Sequence, residues 1–109
     1  MEDKTLRQVC DWLDVSRRAV QGYEKAGLVS ASGKTKRGYL LYDSSSQNRI
    51  KQIRLFQQLG FSIKEIQAII DSPNVILREQ LERQIEKLHC EKKEVERLIE
   101  IAQEMLSEL

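Results

Sequence analysis

Apolar residues recur at helical spacing near the start of the chain. They follow the i, i+3, i+4, i+7 rule for one buried helix face: Leu6, Val9, Cys10 and Leu13. Thr5 and Gln8 have the spacing of a capping box, which marks a helix start. After a short break, Ser16 is suited to cap a second helix through Ala26, with Gly27 as its stop. Two short helices joined this closely predict a helix-turn-helix.

The periodicity changes after Gly27. Two short apolar runs, at residues 28–29 and 39–42, flank a turn-rich basic stretch at 32–38. This order predicts two strands joined by a loop, that is, a small β-hairpin wing. The cations of the loop, Lys34, Lys36 and Arg37, need solvent or phosphate as their surroundings. A loop whose charges only keep the surface hydrated is the alternative interpretation.

A second helix-turn-helix is predicted downstream of the wing. Ser44 and Gln47 repeat the capping-box spacing before a helix to Leu59, which Gly60 ends. The apolar positions of this helix are Ile50, Ile53, Leu55 and Phe56. A third capping box, Ser62 with Glu65, starts a short helix whose buried stripe is Ile63, Ile66, Ile69 and Ile70.

The last third of the chain predicts one long helix. Pro73 interrupts the chain, and a helix restarts there and continues to about Ser107. At about 1.5 Å per residue it is roughly 50 Å long. Leu81, Val95 and Leu109 belong to a seven-residue repeat, and Ile85, Ile99 and Leu106 to a second one that Lys92 interrupts. The residues expected to pair this helix with another are Leu81, Ile85, Leu88, Val95, Leu98, Ile99, Ala102 and Leu106.

A second copy of the chain is the simplest partner for this seam, because the helix is too long for the rest of a small chain to cover. The seam is interrupted by charges at residues 91–94, near the middle of the helix. In an antiparallel pair the two-fold axis crosses near that point, where Glu of one chain can meet Lys of the other. We therefore expect an antiparallel coiled coil in a homodimer; a lone helix folded back on its own domain is the alternative.

Charge is distributed unevenly, although the net charge is only +1. Residues 1–60 contain 11 Lys and Arg against 6 Asp and Glu, a balance of +5, whereas residues 61–109 contain 7 against 11, a balance of −4. The basic half is therefore the one that carries the predicted wing and the first helix-turn-helix, as binding to phosphates requires.

The remaining chemistry is sparse. Cys10 and Cys90 lie far apart without a CxxC spacing, and His89 adds only one more ligand type, so neither a zinc site nor another metal or cofactor is expected. Cys90 close to a dimer axis leaves an oxidation-dependent crosslink open. No apolar run approaches the roughly 18 residues that span a bilayer, so we expect a cytoplasmic protein without membrane contact. No nucleophile, base and orienting group assemble by spacing, which argues against an enzyme.

Three segments together resemble the DNA-binding half of the MerR family of transcription regulators. Residues 15–24 (VSRRAVQGYE) resemble the recognition-helix segment, residues 38–43 (GYLLYD) the end of the wing, and residues 59–66 (LGFSIKEI) the second turn. The order of elements matches over nearly the whole chain, and the long helix resembles that of the TipA-type, multidrug-responsive members.

The resemblance implies a fold, a function and a set of contact residues. The fold is mostly α: a winged helix-turn-helix DNA-binding domain at residues 1–71 and a dimerisation helix at 72–109. The function is regulation of transcription by bending and untwisting promoter DNA, with double-stranded DNA, a second copy and RNA polymerase as partners. The DNA-binding residues that the resemblance implies are Ser16, Arg17, Arg18, Tyr23, Lys36, Arg37, Tyr39, Tyr42 and Arg49. Gln21 in the recognition-helix segment and Lys34 in the wing loop complete the expected DNA-binding set.

The chain departs from the family pattern within the contact segments. Ala19, Gln21 and Gly22 stand where Thr, Arg and an aromatic residue or His are common, and Leu40 stands where an Arg usually contacts phosphate. Two charged contacts are lost, which leaves the operator open. An excisionase-like DNA-bending factor and a coiled-coil interaction module are the alternative functions. A monomer in sedimentation favours the first, and absence of DNA binding at low salt favours the second.

Overall fold

The computed structural model describes residues 2–109 and shows five helices and a small sheet in that range. A first unit ends at Asp71, and a second unit comprises Ser72–Leu109. The elements of the first unit are β1 (Lys4–Thr5), α1 (Leu6–Leu13), α2 (Arg17–Lys25), β2 (Gly33–Lys34), β3 (Leu40–Tyr42), α3 (Ser44–Gln58) and α4 (Ile63–Ile69). The second unit is built on α5 (Asn74–Ser107).

The predicted capping residues define both helices of the first helix-turn-helix. The Thr5 hydroxyl accepts from the Gln8 amide at 3.3 Å, and the Gln8 side chain accepts from the Thr5 amide at 2.9 Å, which confirms the capping box. The turn is made by Asp14, whose φ of 51° is left-handed, and the Ser16 hydroxyl then accepts from the Ala19 amide at 3.0 Å. Local hydrogen bonding therefore determines where α1 and α2 begin.

Helices α2 and α3 end in the same way. After α2, Gly27 (φ 75°) donates to the Glu24 carbonyl and Leu28 donates to the Tyr23 carbonyl, each at 3.0 Å. This is a Schellman motif, in which a left-handed glycine is followed by an apolar residue that packs back on the helix. Gly60 (φ 106°) and Phe61 repeat it after α3.

The Schellman motif corrects one prediction about the wing. The run at residues 28–29 was expected to be the first strand, but the buried Leu28 closes the end of α2 and the strand begins later, at Gly33. Strand β2 pairs antiparallel with β3, with Lys34 opposite Leu40. The second strand of the predicted hairpin is confirmed. The apolar residues at 28–29, which were interpreted as the first strand, belong to the end of α2.

Strand β1 was not predicted. It lies on the other side of β3, so the sheet order is β1-β3-β2, with Lys4 opposite Tyr42. The Gln47 side chain, fully buried, reinforces this edge by donating to the backbone carbonyls of Tyr42 at 2.7 Å and Glu2 at 2.8 Å. Gln47 is therefore a core residue that holds the N-terminal segment.

This role of Gln47 overturns the capping box expected at the start of α3. Asp43, one residue before Ser44, is the N-cap: its carboxylate accepts from the Ser46 amide at 2.9 Å. The third capping box is confirmed, since Ser62 and Glu65 satisfy each other's backbone amides at 3.1 and 3.0 Å at the start of α4.

The core of the first unit lies where α1, α2, α3, α4 and β3 face one another. Its fully buried apolar side chains are Val9, Val20, Tyr23, Tyr42, Ile50, Ile53 and Ile66. Phe56 and Phe61 meet edge to face, with ring centroids 5.7 Å apart. Leu55, expected among the apolar positions of α3, is instead half exposed on the outer face.

Helix α5 forms the second unit by itself and is continuous from Asn74 to Ser107, as predicted. The Pro73 carbonyl accepts from the amides of Ile76 and Leu77 at 3.0 and 3.1 Å, so proline occupies the N-cap, where its missing N–H is not needed. Within the range that the structure describes, no helix is both long and apolar enough to cross a membrane.

Candidate nucleic-acid interface

The first turn of α2 presents two arginines to solvent. Ser16 is used as the cap, and Arg17 and Arg18 follow it, both exposed. Neither forms an ion pair with a carboxylate of residues 2–109, and the first turn of α2 contains no acid. Two unneutralised guanidinium groups therefore lie at the positive end of a helix, where an anion is favoured.

The wing presents its cations on a tight turn. Gly38 donates to the Thr35 carbonyl at 2.9 Å, which closes a four-residue turn with Lys36 and Arg37 at its two central positions. Gly38 adopts φ 84°, a left-handed value that suits glycine. Lys34 and both turn cations are exposed, so the structure leaves all three predicted wing cations free to approach a polyanion.

A concavity of about 590 Å³ lies between the wing and the starts of α1 and α2. It brings together two residues predicted from the sequence, Arg17 and the 62 % exposed Tyr39, with one that was missed, Arg7. The other lining residues are Thr5, Leu6, Gly38 and Leu40. The lining contains no acid, so its electrostatic character is cationic.

Tyr23 and Tyr42 require a correction, because the structure buries both side chains. Tyr23 is 1 % exposed, and its hydroxyl donates to Gln57 Oε1 at 2.5 Å. Tyr42 is fully buried, and its hydroxyl donates to Glu24 Oε1. Burial raises the pKa of both phenols, and for Tyr42 the bond to Glu24 raises it further. These tyrosines support the surface from beneath and cannot contact DNA directly.

Arg49 is engaged within the first unit. Its two terminal nitrogens donate to the two carboxylate oxygens of Asp71, each at 2.8 Å, and Nε donates to the Leu28 carbonyl at 2.8 Å. The hydrogen bonds to Asp71 raise the pKa of Arg49 and lower that of the carboxyl. Arg49 therefore ties the end of α2 to the segment after α4, and its place among DNA contacts stays a prediction.

The remaining predicted contacts on α2 are accessible. Gln21 is exposed, and Gly22 is exposed with no atom within 4 Å of the position of an added Cβ. The absent side chain at position 22 therefore leaves open space on the helix surface beside Gln21.

The residues expected to pair α5 with a second copy lie on an exposed apolar seam. Val95 is 54 % exposed, and Ile85, Leu98 and Ile99 are similarly accessible, while Leu81 is half buried. Within residues 2–109, no group of three or more His, Cys, Asp and Glu is arranged to hold a metal ion. Both cysteines are free thiols, and burial raises the pKa of Cys10.

A match to a known family now decides the assignment. Residues 4–73 match the MerR HTH family of regulatory proteins. The chain belongs to the MerR family. The match covers the first unit from β1 to the residues after α4 and confirms the resemblance seen in the sequence.

Relatives of this MerR-family chain are transcription regulators, not enzymes. It is 32% identical over 95 residues to the HTH-type transcriptional activator mta of Bacillus subtilis, covering 87% of this chain and 37% of mta. It is 32% identical over 81 residues to the HTH-type transcriptional activator TipA of Streptomyces coelicolor, covering 74% of this chain and 32% of TipA. The chain thus spans about a third of the length of these relatives.

Solved structures of the family share the fold. A MerR-family transcriptional regulator from Bacillus cereus superimposes with a TM-score of 0.81 at 30% identity, over 95% of this chain and 80% of that one. The prediction of a mostly α, winged helix-turn-helix protein with a long C-terminal helix is confirmed. These findings favour a transcription regulator over the excisionase-like and interaction-module alternatives.

Proposed function

We propose that this MerR-family chain binds double-stranded promoter DNA as a homodimer and alters transcription by bending and untwisting that DNA. The observation that carries the proposal is the set of cations without carboxylate partners on one unit: Arg17, Arg18, Lys34, Lys36 and Arg37. Free cations on a helix start and on a hairpin can neutralise phosphates of a duplex, and this neutralisation releases condensed counterions.

The roles of these cations differ. The first turn of α2 is the part of a recognition helix that reaches base edges, so Arg18 contributes discrimination between sequences. The wing cations neutralise phosphates and contribute affinity without sequence information. Gln21 is one turn of helix beyond Arg17 and adds a second polar group on the same surface. Residues 1–71 form the DNA-binding domain in this scheme, and residues 72–109 the dimerisation helix.

Titration of duplexes with the wild-type chain at several salt concentrations tests the DNA-binding part of the proposal. The logarithm of affinity should fall linearly with the logarithm of salt concentration, with a slope near 0.9 per neutralised phosphate. Arg18→Ala should reduce the ratio of cognate to random affinity, whereas Arg37→Ala should weaken both equally and lower the slope by about 1. Equal losses on both duplexes for both variants would contradict these roles.

The dimer follows from the seam of α5. If the repeat positions of one helix face those of an antiparallel copy, one register pairs all of them from Leu81 to Leu106: Leu81 with Leu106, Ile85 with Ala102, Leu88 with Ile99 and Lys92 with Val95. The two-fold axis then crosses between residues 93 and 94, at the charged interruption. Cys90 lies outside the seam in this register, which argues against the oxidation-dependent crosslink.

Cysteine crosslinking tests this register. In a background without Cys10 and Cys90, Ile85→Cys combined with Ala102→Cys should crosslink two copies on oxidation. Each single variant is the matched control and should not crosslink, since residues this far from the two-fold axis meet their own copies only in a parallel pair. Crosslinking by either single variant would refute the antiparallel arrangement, and a monomer in sedimentation equilibrium at micromolar concentration would refute the dimer.

A two-fold dimer predicts a nearly palindromic operator. Distortion of the DNA between its half-sites stores elastic energy that extra backbone contacts offset. Fluorescence transfer between dyes at the duplex ends should therefore rise on binding, and an unchanged signal would remove bending from the proposal. Realignment of promoter elements makes RNA polymerase a further partner, which acts with the protein in the cytoplasm; transcription in vitro with purified polymerase tests this step.

A further inference from the structure

Arg7 occupies an unusual electrostatic position. It lies in the first turn of α1, the positive end of the helix, where no acid is present. A cation there opposes the helix dipole, whereas Asp and Glu are the residues that favour this end. Arg7 is exposed and forms no ion pair with a carboxylate anywhere in residues 2–109. The stability of the free helix therefore gives no reason for an arginine here.

A second arginine at the start of a helix lies beside Arg7. Arg7 lines the concavity of about 590 Å³ together with Arg17, which occupies the first turn of α2. Two guanidinium groups at the positive ends of two helices therefore share one recess that lacks carboxylates. Like charges in such a recess repel one another until an anion enters.

The third side of the recess offers a neutral donor. Tyr39 is 62 % exposed, and its hydroxyl has no hydrogen-bond partner among the described residues. A phosphate can accept from two guanidinium groups and a phenol together, and hydrogen bonds between ionised groups are the strong ones.

We infer that Arg7 binds one backbone phosphate of the duplex in this recess, jointly with Arg17. This inference rests on the proposed DNA-binding function and adds to it an anchor on α1, outside the recognition helix and the wing. Because a phosphate carries no sequence information, Arg7 contributes affinity and register on the duplex but does not discriminate between sequences.

The first test compares Arg7→Ala with the wild-type chain on cognate and random duplexes over a range of salt concentrations. Loss of one charge-assisted contact should weaken binding to both duplexes roughly 10-fold and lower the salt slope by about 1. Lys51→Ala is the matched control, since Lys51 is an exposed cation of the same unit outside the recess. Its affinity should stay within about 2-fold of wild type.

The second test identifies the phosphate. Single phosphates of the duplex are replaced in turn by neutral methylphosphonates. At the phosphate bound by Arg7, the replacement should weaken the wild-type chain more than it weakens Arg7→Ala, because that variant has already lost one of the two guanidinium contacts to this phosphate. At all other positions both proteins should respond alike.

The conservative variant tests the role of the charge. Arg7→Lys keeps a cation in the first turn of α1, so it should keep most of the salt slope that Arg7→Ala loses. Urea unfolding of Arg7→Ala should show equal or higher stability, which separates lost binding from lost folding. If the wild-type chain ignores duplexes at low salt, the proposed function fails. If it binds and Arg7→Ala binds equally well, or Lys51→Ala loses as much, only the assignment of Arg7 fails.

Discussion

The hydrogen bond between Tyr42 and Glu24 connects β3 of the wing to α2, and removing it should destabilise the first unit. Tyr42 is the last residue of β3, and Glu24 lies near the end of α2. Tyr42→Phe keeps the fully buried ring and deletes only the hydroxyl. The change therefore measures this bond without opening a cavity.

The expected loss follows from the chemistry of the acceptor. Hydrogen bonds to charged groups contribute about 1.5–3 kcal/mol. Glu24 is only half buried, so water can solvate part of its carboxylate after the change, and we expect a loss near the lower end of that range, about 1.5 kcal/mol. With a urea dependence of about 1–3 kcal/mol per molar for a small protein, the midpoint should fall by roughly 0.5–1.5 M.

Urea unfolding monitored by circular dichroism, at one fixed protein concentration, measures this loss. Tyr39→Phe is the matched control, because that hydroxyl is exposed, and it should change stability by less than about 0.5 kcal/mol. Adding Glu24→Ala completes a double-mutant cycle whose coupling energy isolates the pair. A Tyr42→Phe midpoint equal to wild type, or additive single changes in the cycle, would show that the bond contributes nothing to stability.

Four further outcomes are expected. Gly22→Ala should raise the free energy of unfolding by about 1 kcal/mol, because the added methyl meets no atom and alanine favours the helix; urea unfolding checks it. Arg49→Ala should lower the free energy of unfolding by about 1 kcal/mol, because it removes the bond to the Leu28 carbonyl together with the exposed ion pair, and Asp71→Ala should lower it less; urea unfolding checks both. Lys92→Leu should tighten the proposed dimer in sedimentation equilibrium and allow other registers of the two helices, since a polar core residue specifies one pairing at a cost in stability. Burial raises the pKa of Tyr42, so the folded state holds the phenol proton more tightly than the unfolded state does. The contribution of this proton to the free energy of unfolding is complete below the unfolded pKa of about 10 and should fall as pH rises above it. In urea unfolding, the fall should be less steep for Tyr42→Phe.

The parts of the fold that were predictable are those whose causes are local. Ser16 and the Thr5–Gln8 pair satisfy amides within three residues of themselves, so a short stretch of sequence contains the complete signal. Strand β1 has no local sequence pattern of this kind, because its two residues adopt strand geometry only by pairing with β3. The predicted cap of α3 was wrong for a different reason. Asp43 and Ser44 are both good N-cap residues, and the burial of Gln47 decides between them.

The same distinction applies to the site. The exposure of the cations on α2 and the wing could be predicted from their charge and from the turn residues around them, because a solvated cation does not depend on distant parts of the chain. The positions of Tyr23 and Tyr42 did not, because an aromatic residue beside basic ones fits a groove contact and a core equally well. Their partners, Gln57 and Glu24, are distant in sequence, and only the tertiary fold brings them together.

The position of Arg7 could have been noticed in the sequence, because a basic residue in the first turn of a predicted helix contradicts the usual preference for acids there. Stable helices favour acids in the first turn, as Glu65 shows in α4, yet α1 and α2 begin with Arg7, Arg17 and Arg18 and have no acid there. Each such arginine destabilises the free helix by about 0.3–1 kcal/mol at low salt, and a phosphate placed at the same end reverses the sign. Salt should therefore act in opposite directions: it relieves repulsion in the free protein and weakens the complex with DNA. A helix start that is electrostatically unfavourable alone and favourable beside a polyanion is what a binding surface requires, and it separates α1 and α2 from α4.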